Sequence, residues 1–401
     1  MVNHRVNRVS VTPITNVYPH EIGANAFLPG RSRVGIEWLV RAHTNGGLEG
    51  LTIANKFFSS NGTNSVEELM HLLKEVFIGR QISDLLDISN GEVIGPSGKT
   101  CHAFKSYGWM SILAYDLVAK ELGVSCVDLI GGSFRDCVDA YDTTLYFDDI
   151  TDPVKGIDAV IEEAKESYNL GWRQFKIKVG RGGRWMEPEA GARRDAAIVQ
   201  GIRQSLGPDV TLMVDANFGY GNRIDLLELF LRETLSADIY WLEEMIPPSV
   251  EGYRDLRELQ GRVGSSSLLV CGEVDREPVS EVYVEMANEG VFDAYQPDIV
   301  SQGFSGWKEI ENRLSHTEVK FQPHCFGNGK FGTRASLIYG AATDRFISIE
   351  DERIECSVYM EGGFGFEKGQ YCVSDASGLG IEINDEEYER VFAQNKFEMR
   401  L

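Results

Sequence analysis

From Lys176 onward in this 401-residue chain, ionisable residues stand at the end of one strand-like segment after another. In chain order they are Lys176, Lys178, Asp215, Glu243, Glu244, Glu273, Asp298, His324 and Glu350. The steps between segments, about 25 to 37 residues, match one strand–helix unit of a parallel α/β fold. The spacing therefore predicts a single rim that combines carboxylates, amines and an imidazole, a set suited to metal binding and proton transfer.

Three of the carboxylates, Asp215, Glu243 and Glu273, come from neighbouring predicted strands and would repel one another if left alone. A divalent cation relieves that repulsion, and an all-oxygen ligand set favours Mg²⁺ or Mn²⁺ over zinc. Separate salt bridges are the alternative interpretation. Glu243 and Glu244 are adjacent, so strand alternation turns only one of them inward, and the pattern alone does not choose between them.

The basic residues of the rim suggest acid–base chemistry. Lys176 and Lys178 lie two residues apart on a strand and face the same side, where each ammonium group lowers the pKa of the other and favours a neutral, basic form. They could instead be structural partners of the carboxylates. Asp298 beside His324 would fix the tautomer of the imidazole and form a proton-transfer pair. Glu350 could stabilise an oxyanion if it is kept protonated, or it could be a simple ion-pair partner.

The chain from Cys137 onward alternates strand-like and helix-like segments, and these elements must position the rim. The predicted strands are residues 137–145, 174–179, 211–217, 239–245, 267–274, 293–300, 319–325 and 345–351, with helical patterns such as 188–206 and 224–235 between them. Eight strand–helix units predict an α/β fold of the (β/α)8-type (TIM) barrel. A doubly wound open sheet is the competing fold, but it would need a Gly-rich phosphate turn after its first strand, and the sequence has none there.

The remaining segments predict a second domain. Strand-like segments at 4–16, 33–42 and 48–54 precede helical patterns at 65–77 and 103–122, and Gly123 ends the last of them. We therefore expect an α+β N-terminal domain (1–135), a barrel (136–361) and a C-terminal segment (362–401) that returns to the N-terminal domain.

Charge and cysteine content limit the possible partners and compartments. The formal net charge of −22 argues against nucleic acid and anionic membrane surfaces as partners. No apolar stretch approaches the roughly 20 residues of a membrane helix, and the start of the sequence has no signal-peptide pattern. Seven widely spaced cysteines without a Cys-x-x-Cys pair favour reduced thiols and a cytoplasmic location.

The ordered set of motifs resembles the enolase superfamily, specifically its mandelate racemase (mandelate racemase/muconate lactonizing enzyme) subgroup. The matching segments are Lys176-Ile177-Lys178, Val214-Asp215-Ala216-Asn217, Trp241-Leu242-Glu243-Glu244, Gly272-Glu273, Pro297-Asp298, Pro323-His324 and Ile349-Glu350. Upstream, Ala114-Tyr115-Asp116-Leu117 and Gly131-Gly132 resemble the region that leads into the barrel. Each motif is weak alone, but the complete set in this order is specific and covers nearly the whole chain.

The resemblance implies roles for the matched residues. The ligands of Mg²⁺, with Mn²⁺ as the alternative cation, would be Asp215, Glu243 and Glu273, which selects Glu243 over Glu244. The acid–base groups on opposite faces of the substrate would be Lys178, with Lys176 as its partner lysine, and His324, oriented by Asp298. The remaining matches are Asn217 and Thr143 as substrate contacts and Glu350 as a carboxylic acid beside the enolate.

The activity implied by the resemblance is abstraction of the proton α to a carboxylate, followed by loss of water from a sugar acid. A racemase or epimerase of a 2-hydroxy acid is the alternative, and a non-catalytic ligand-binding barrel is a third. The resemblance also implies a homo-oligomer whose N-terminal domain caps the barrel, with specificity set by loops near residues 20–30 and 55–63. In the loop 180–187, Arg181, Arg184 and Trp185 are further candidates for contact with the far end of a polyhydroxy acid.

Overall fold

The computed structural model describes residues 4–59, 64–360 and 364–401. The N-terminal domain is built on an antiparallel sheet of β1 (Val6–Val17), β2 (Val34–Thr44) and β3 (Glu49–Ile53). The C-terminal strand Phe397–Arg400 pairs with the free edge of β1 and completes the sheet. The predicted strands of this domain are therefore confirmed, and the two ends of the chain meet in one sheet.

Helices and a hairpin follow this sheet. They are α1 (Asn55–Ser59), α2 (Val66–Val76), β4 (Leu86–Ser89), β5 (Glu92–Pro96), α3 (Cys101–Ser106), α4 (Trp109–Leu122) and α5 (Cys126–Ile130), with a 3₁₀ turn at Ile82–Asp84. The single helix predicted over 103–122 is wrong in one respect, because the chain breaks before α4. A Cβ atom on Gly108 would lie 2.2 Å from the carbonyl oxygen of Gln302, so the break lets the two backbones touch.

Eight parallel strands form the barrel. They are β6 (Cys137–Leu145), β7 (Gln174–Lys178), β8 (Thr211–Asp215), β9 (Ile239–Glu243), β10 (Leu268–Cys271), β11 (Ala294–Tyr295), β12 (Lys320–Phe321) and β13 (Ile349–Asp351). The strands from β6 to β12 pair in chain order, and β13 pairs with β6. A parallel bridge between Phe321 and Phe346 joins β12 to the segment that enters β13, so the sheet closes on itself. The predicted fold class is confirmed.

Helices follow the first seven barrel strands. They are α6 (Asp148–Thr151) and α7 (Ile157–Asn169) after β6, then α8 (Pro188–Leu206), α9 (Ile224–Thr234), α10 (Val250–Val263), α11 (Glu281–Asn288), α12 (Ile299–Arg313) and α13 (Gly329–Ala341), with a 3₁₀ turn at Leu235–Ala237. In the described part of the chain no helix directly follows β13, so the eighth strand–helix unit of the prediction is wrong. Across the same residues, none of the helices combines the length and apolar character that crossing a bilayer requires.

The barrel interior beneath the rim is apolar. Tyr141, Met213, Trp241, Val270 and Ala294 form a fully buried cluster separate from the main core. Met213 and Trp241 lie two residues before the acidic strand ends, so their side chains share a face with those carboxylates one layer deeper. The Tyr141 and Trp241 rings meet edge to face at 5.1 Å. The layer also contacts the rim, because Trp241 Nε1 donates a hydrogen bond to Glu243 Oε2 at 3.2 Å.

The C-terminal segment contacts both domains. Its elements are β14 (Tyr359–Met360), β15 (Phe366–Glu367), β16 (Gln370–Cys372), β17 (Glu382–Ile383), α14 (Asp385–Val391), a 3₁₀ turn at Ala393–Asn395 and β18 (Phe397–Arg400). β16 runs antiparallel to the start of β6, and a disulfide joins Cys137 to Cys372. The expectation of reduced thiols is therefore wrong for this pair, whose members are 235 residues apart and so leave no local motif. The domain boundaries at 135 and 361 stay predictions, and residue 361 lies outside the described residues.

Candidate active site

The carboxyl ends of the barrel strands bring the predicted residues to one rim. Lys178, Asp215 and Glu243 are the last residues of β7, β8 and β9, and the ladders pair them side by side. The rest of the set arrives from the following strands, in the order Glu273, Asp298, His324 and Glu350. A parallel bridge joins Asp298 directly to His324. The tertiary structure thus assembles the set that the spacing predicted.

Three carboxylates on this rim form a candidate metal centre. Asp215, Glu243 and Glu273 each offer one oxygen atom, and these three atoms lie within 4.8 Å of one another. Asp215 and Glu243 are fully buried, whereas Glu273 is partly exposed. Hard oxygen donors at this spacing suit one divalent cation such as Mg²⁺, so the residues present fit the group that the sequence implied.

The backbone bends sharply where strands end at this centre. Asn217, Phe218 and Glu244 have φ angles of 41°, 60° and 44°, in the left-handed region that non-glycine residues rarely adopt. Glu244 is buried outside the carboxylate cluster, and its Oε1 atom has no hydrogen-bond partner among the described residues. Residues held in such conformations concentrate at functional sites, where the surrounding structure compensates for the strain.

Lys176 lies at the bottom of the site. Its Nζ atom is 2.9 Å from Glu243 Oε1 and 2.7 Å from Glu350 Oε1, and its side chain is almost fully buried. The ammonium group also lies 5.4 Å from the centre of the Tyr141 ring. Lys176 therefore links the metal centre to the carboxylate on β13.

Lys178 lies nearer the opening. It forms an ion pair with Asp215 and donates a hydrogen bond to Asn217 Oδ1 at 2.9 Å. Asn217 in turn donates from Nδ2 to Glu273 Oε2 at 3.4 Å, so its amide connects the lysine to the third carboxylate. The Lys178 Nζ atom stands 5.2 Å from the centre of the Tyr146 ring, which forms a wall on that side.

The expected lowering of the lysine pKa values by mutual repulsion is wrong in this structure. Burial alone would lower the pKa of Lys176 and of Lys178, but neighbouring negative charges outweigh it and raise both. Glu243 and Glu350 act on Lys176, and Asp215 acts on Lys178. Both lysines are therefore ammonium groups when they face these carboxylates directly.

His324 lies at the other end of the carboxylate cluster. Its Nδ1 atom is 3.0 Å from Asp298 Oδ2, and its Nε2 atom is 3.2 Å from Glu273 Oε1. Burial alone would lower the pKa of His324, but the charges of Glu273 and Glu350 and the hydrogen bond with Asp298 raise it to about 9. The imidazole is therefore protonated near neutral pH and can act as a proton donor.

Asp298 and Glu350 are both fixed by the backbone. Asp298 Oδ1 accepts hydrogen bonds from the first turn of α12, at Val300 N and Ser301 N. Glu350 Oε2 accepts from Cys325 N (2.6 Å) and Phe326 N (3.1 Å), while Thr143 donates its hydroxyl to Glu350 Oε1 at 2.8 Å.

Of the two interpretations of Glu350, the contacts in this structure favour the ion-pair partner over the protonated acid. Burial would raise its pKa, but the charges of Lys176 and His324 and the backbone hydrogen bond from Cys325 lower it below the ordinary value. Glu350 therefore acts as an ionised acceptor that positions Lys176 and Thr143.

In the loop 180–187, one of the three predicted contact residues is wrong, and the contacts of the other two are with the N-terminal domain. Arg181 is completely buried, pairs with Asp195 and Asp149, and therefore does not face the opening. The other two candidates contact the loop 20–30 of the N-terminal domain: Trp185 Nε1 donates to Asn25 O at 2.7 Å, and Arg184 donates to Phe27 O. The predicted specificity loop 20–30 and the loop 180–187 thus bind one another.

Two polar residues near the imidazole were not predicted individually. Lys56, in α1, lies 2.8 Å from Asp298 Oδ2, and Asn328 Nδ2 donates to the same oxygen at 2.7 Å. Lys56 falls in the segment 55–63 that the resemblance marked only as a loop, and residues 60–63 lie outside the described residues. Neither residue belongs to a local motif, so the sequence offered no signal for its role.

Comparison with known proteins identifies the family. Residues 159–388 match the family model described as enolase C-terminal domain-like, which is more than half of the chain. The chain belongs to the enolase superfamily. The predicted resemblance, including the mandelate racemase and muconate lactonizing branch, is therefore confirmed.

Individual relatives lie within the same superfamily. The chain is 26% identical to a D-galactarolactone cycloisomerase of Agrobacterium fabrum over 69% of this chain and 70% of that protein. A galacturonate dehydratase from Geobacillus sp., solved with D-galacturonate and 5-keto-4-deoxy-D-galacturonate, superposes with a TM-score of 0.83 at 28% identity over 99% of both chains. A mandelate racemase/muconate lactonizing protein from Geobacillus sp., solved with magnesium and tartrate, gives a TM-score of 0.82 at 29% identity over 98% of this chain and 96% of that one. Enolase superfamily members with different reactions thus share this architecture.

Proposed function

We propose that the protein is a Mg²⁺-dependent acid-sugar dehydratase, a hydro-lyase acting on a small carboxylate. One observation carries the proposal: acid–base groups stand at both ends of the carboxylate cluster. Lys178 is paired with Asp215 at one end, and His324 Nε2 lies 3.2 Å from Glu273 Oε1 at the other. A substrate carboxylate held at the cluster would lie between an amine and an imidazole. Dehydratases among the relatives support loss of water as the outcome.

Asp215, Glu243 and Glu273 would hold the cation, which when bound supplies positive charge to stabilise the enolate oxygens. Lys178 would act in its neutral form, which the positive charge of a bound cation favours by offsetting the carboxylate charges that otherwise raise the pKa of this lysine. It removes the α-proton, and the electron pair of that C–H bond becomes the new carbon–carbon double bond. Protonated His324 gives its proton to the β-hydroxyl, the carbon–oxygen bond breaks, and water leaves. The enol product then gains a proton at the β-carbon and loses the proton of its 2-hydroxyl group, which gives a 2-keto-3-deoxy acid.

The other rim residues would bind and orient the substrate. Lys176 is held by Glu243 and Glu350, so its charge stays beside the position where the enolate develops. Asn217 bridges Lys178 and Glu273, and Thr143 is fixed by Glu350. Asp298 keeps the His324 ring in one orientation.

The same pair of acid–base groups supports a second candidate function. If the group on the opposite face returns a proton to the α-carbon, the configuration inverts and the protein is a racemase or epimerase. The placement of Lys178 and His324 at the two ends of the cluster favours this candidate as much as it favours dehydration. The chemical fate of the β-hydroxyl distinguishes the two, and a barrel without turnover would show neither reaction.

Proton NMR in heavy water over a panel of aldonic, aldaric and uronic acids, with Mg²⁺ present, tests the proposal. A 2-keto-3-deoxy product supports dehydration. Deuterium at C2 together with the diastereomer of an intact substrate would reject dehydration in favour of epimerisation, and absence of both reactions across the panel would reject both. Homo-oligomeric assembly and a cytoplasmic location stay predictions.

A further inference from the structure

One oxygen atom of Asp298 receives three hydrogen-bond donors from different parts of the fold. His324 Nδ1 lies 3.0 Å from Oδ2, Asn328 Nδ2 lies 2.7 Å away, and Lys56 Nζ lies 2.8 Å away. Two of these donors belong to the barrel, whereas Lys56 belongs to the N-terminal domain. The Asp298–His324 pair is therefore completed by a residue that the barrel does not supply.

The segment that carries Lys56 is anchored on both sides. The neighbouring Asn55 accepts a hydrogen bond from Trp38 N of β2 at 2.8 Å, and it donates from Nδ2 to Gly327 O at 3.1 Å. Gly327 lies in the loop that follows His324. Two consecutive residues of the N-terminal domain thus contact both strand ends that form the pair, at Asp298 and in the loop after His324.

The contact between Lys56 and Asp298 is electrostatic as well as steric. The Asp298 side chain is 6% exposed and the Lys56 side chain 19% exposed, so water screens their interaction poorly. Burial by itself would raise the pKa of Asp298, and the charge of Lys56 is the strongest influence that lowers it, ahead of the hydrogen bond and charge of His324. The lysine therefore contributes to the ionisation as well as to the placement of the carboxylate that orients the imidazole.

We propose that Lys56 is a positioning residue, which holds Asp298 and thereby His324 in their working geometry when the N-terminal domain is docked. The proposal rests on the proposed function for its kinetic consequence. The contact between domains then has a specific role, because the segment 55–56 supports proton transfer on the His324 face. The Lys178 face stays unchanged, since Lys178 is held by Asp215 and Asn217 of the barrel.

The kinetic test compares Lys56→Met with His324→Asn and Lys178→Ala in Mg²⁺-saturated full-length protein. The measured quantities are dehydration, C2 deuteration of recovered substrate in heavy water, kcat and KM. Lys56→Met should change the ratio of C2 deuteration to dehydration in the same direction as His324→Asn does. Its kcat should fall by about 10- to 100-fold, the loss that is typical when an outer hydrogen-bond partner is removed. Lys56→Arg should restore most of kcat, and Lys74→Met, an exposed lysine of the same domain, should match the wild type.

A readout without substrate separates this inference from the proposed function. In protein labelled with ¹⁵N-histidine, the ring signals of His324 are assigned by their loss in His324→Asn, with and without Mg²⁺. Lys56→Met should shift these ring signals, whereas Lys74→Met should not. Circular dichroism and cooperative thermal unfolding show whether each variant is folded. If Lys56→Met does not fold, Lys56→Gln replaces it in the same measurements.

Two results would overturn the inference. One is a folded Lys56→Met protein with wild-type His324 ring signals. The other is a raised KM with unchanged kcat and an unchanged ratio of deuteration to dehydration, which would make Lys56 a substrate-binding residue. If the wild type converts no member of the panel, the proposed function fails, and the ring signals alone decide whether Lys56 positions the pair.

Discussion

Glu37 of β2 offers a sharp test of how the N-terminal domain meets the rest of the molecule. Its side chain is completely buried, accepts a hydrogen bond from Asn16 Nδ2 at 2.9 Å, and is contacted by the Tyr359 hydroxyl of β14. Burial, aided by the charge of Glu352, raises the pKa of Glu37 from 4.5 to about 8, although the hydrogen bond from Asn16 opposes the shift. We expect this group to make folding stability depend on pH.

The sign and size of this pH dependence follow from the difference in proton binding between the folded and the unfolded protein. Between pH 4.5 and about 8 the folded protein holds a proton on Glu37 that the unfolded chain releases. The stabilising contribution is therefore complete below pH 4.5 and is lost as the pH rises through the folded pKa. One such group changes the free energy of unfolding by at most about 1.4 kcal/mol per pH unit, and by something on the order of 4 kcal/mol across the window.

Replacing Glu37 by Gln keeps the shape and removes the titration. Urea denaturation of the wild type and of Glu37→Gln from pH 5 to 8 should show the stability difference moving in favour of the variant as the pH rises, by roughly 3 to 4 kcal/mol in total. Glu67→Gln, which alters an exposed carboxylate in α2, is the matched control and should follow the wild type. If the free energies of unfolding of the wild type and of Glu37→Gln changed in parallel with pH across this range, the reasoning would be refuted.

Three further outcomes are expected at other positions. Lys178→Ala and His324→Asn should each abolish turnover while circular dichroism and the Tm show an intact fold, and near-normal activity of either variant on a true substrate would contradict the assignment of two acid–base groups. Glu273→Gln should weaken Mg²⁺ binding by a larger factor than the loss of about 10- to 100-fold that follows removal of a residue hydrogen-bonded to a metal ligand. Unchanged Mg²⁺ affinity by calorimetry would exclude Glu273 as a ligand. Thiol titration of denatured, unreduced protein should find five free cysteines, because Cys137 and Cys372 are joined, and seven would show that they are not.

The amino-acid sequence determined the barrel and the chemical types at its rim. Strand and helix periodicity are local properties, so the eight strands were found from segments of a few residues each. A carboxylate, lysine or histidine at a strand end needs only the known geometry of parallel units to be placed on the shared rim. The sequence alone therefore predicts that Asp215, Glu243 and Glu273 are neighbours.

The contacts between these groups and their protonation states could not be read from the sequence, because they depend on how the chain packs. Lys56 and Asp298, or Cys137 and Cys372, are hundreds of residues apart, and no local pattern records such contacts. The pKa values of the two lysines departed from expectation, and the choice between the two interpretations of Glu350 needed its contacts, because pKa shifts depend on burial and on every neighbouring charge at once. Hydrophobic periodicity is a property of short sequence segments, whereas electrostatic fields and long-range contacts exist only after distant segments have packed together.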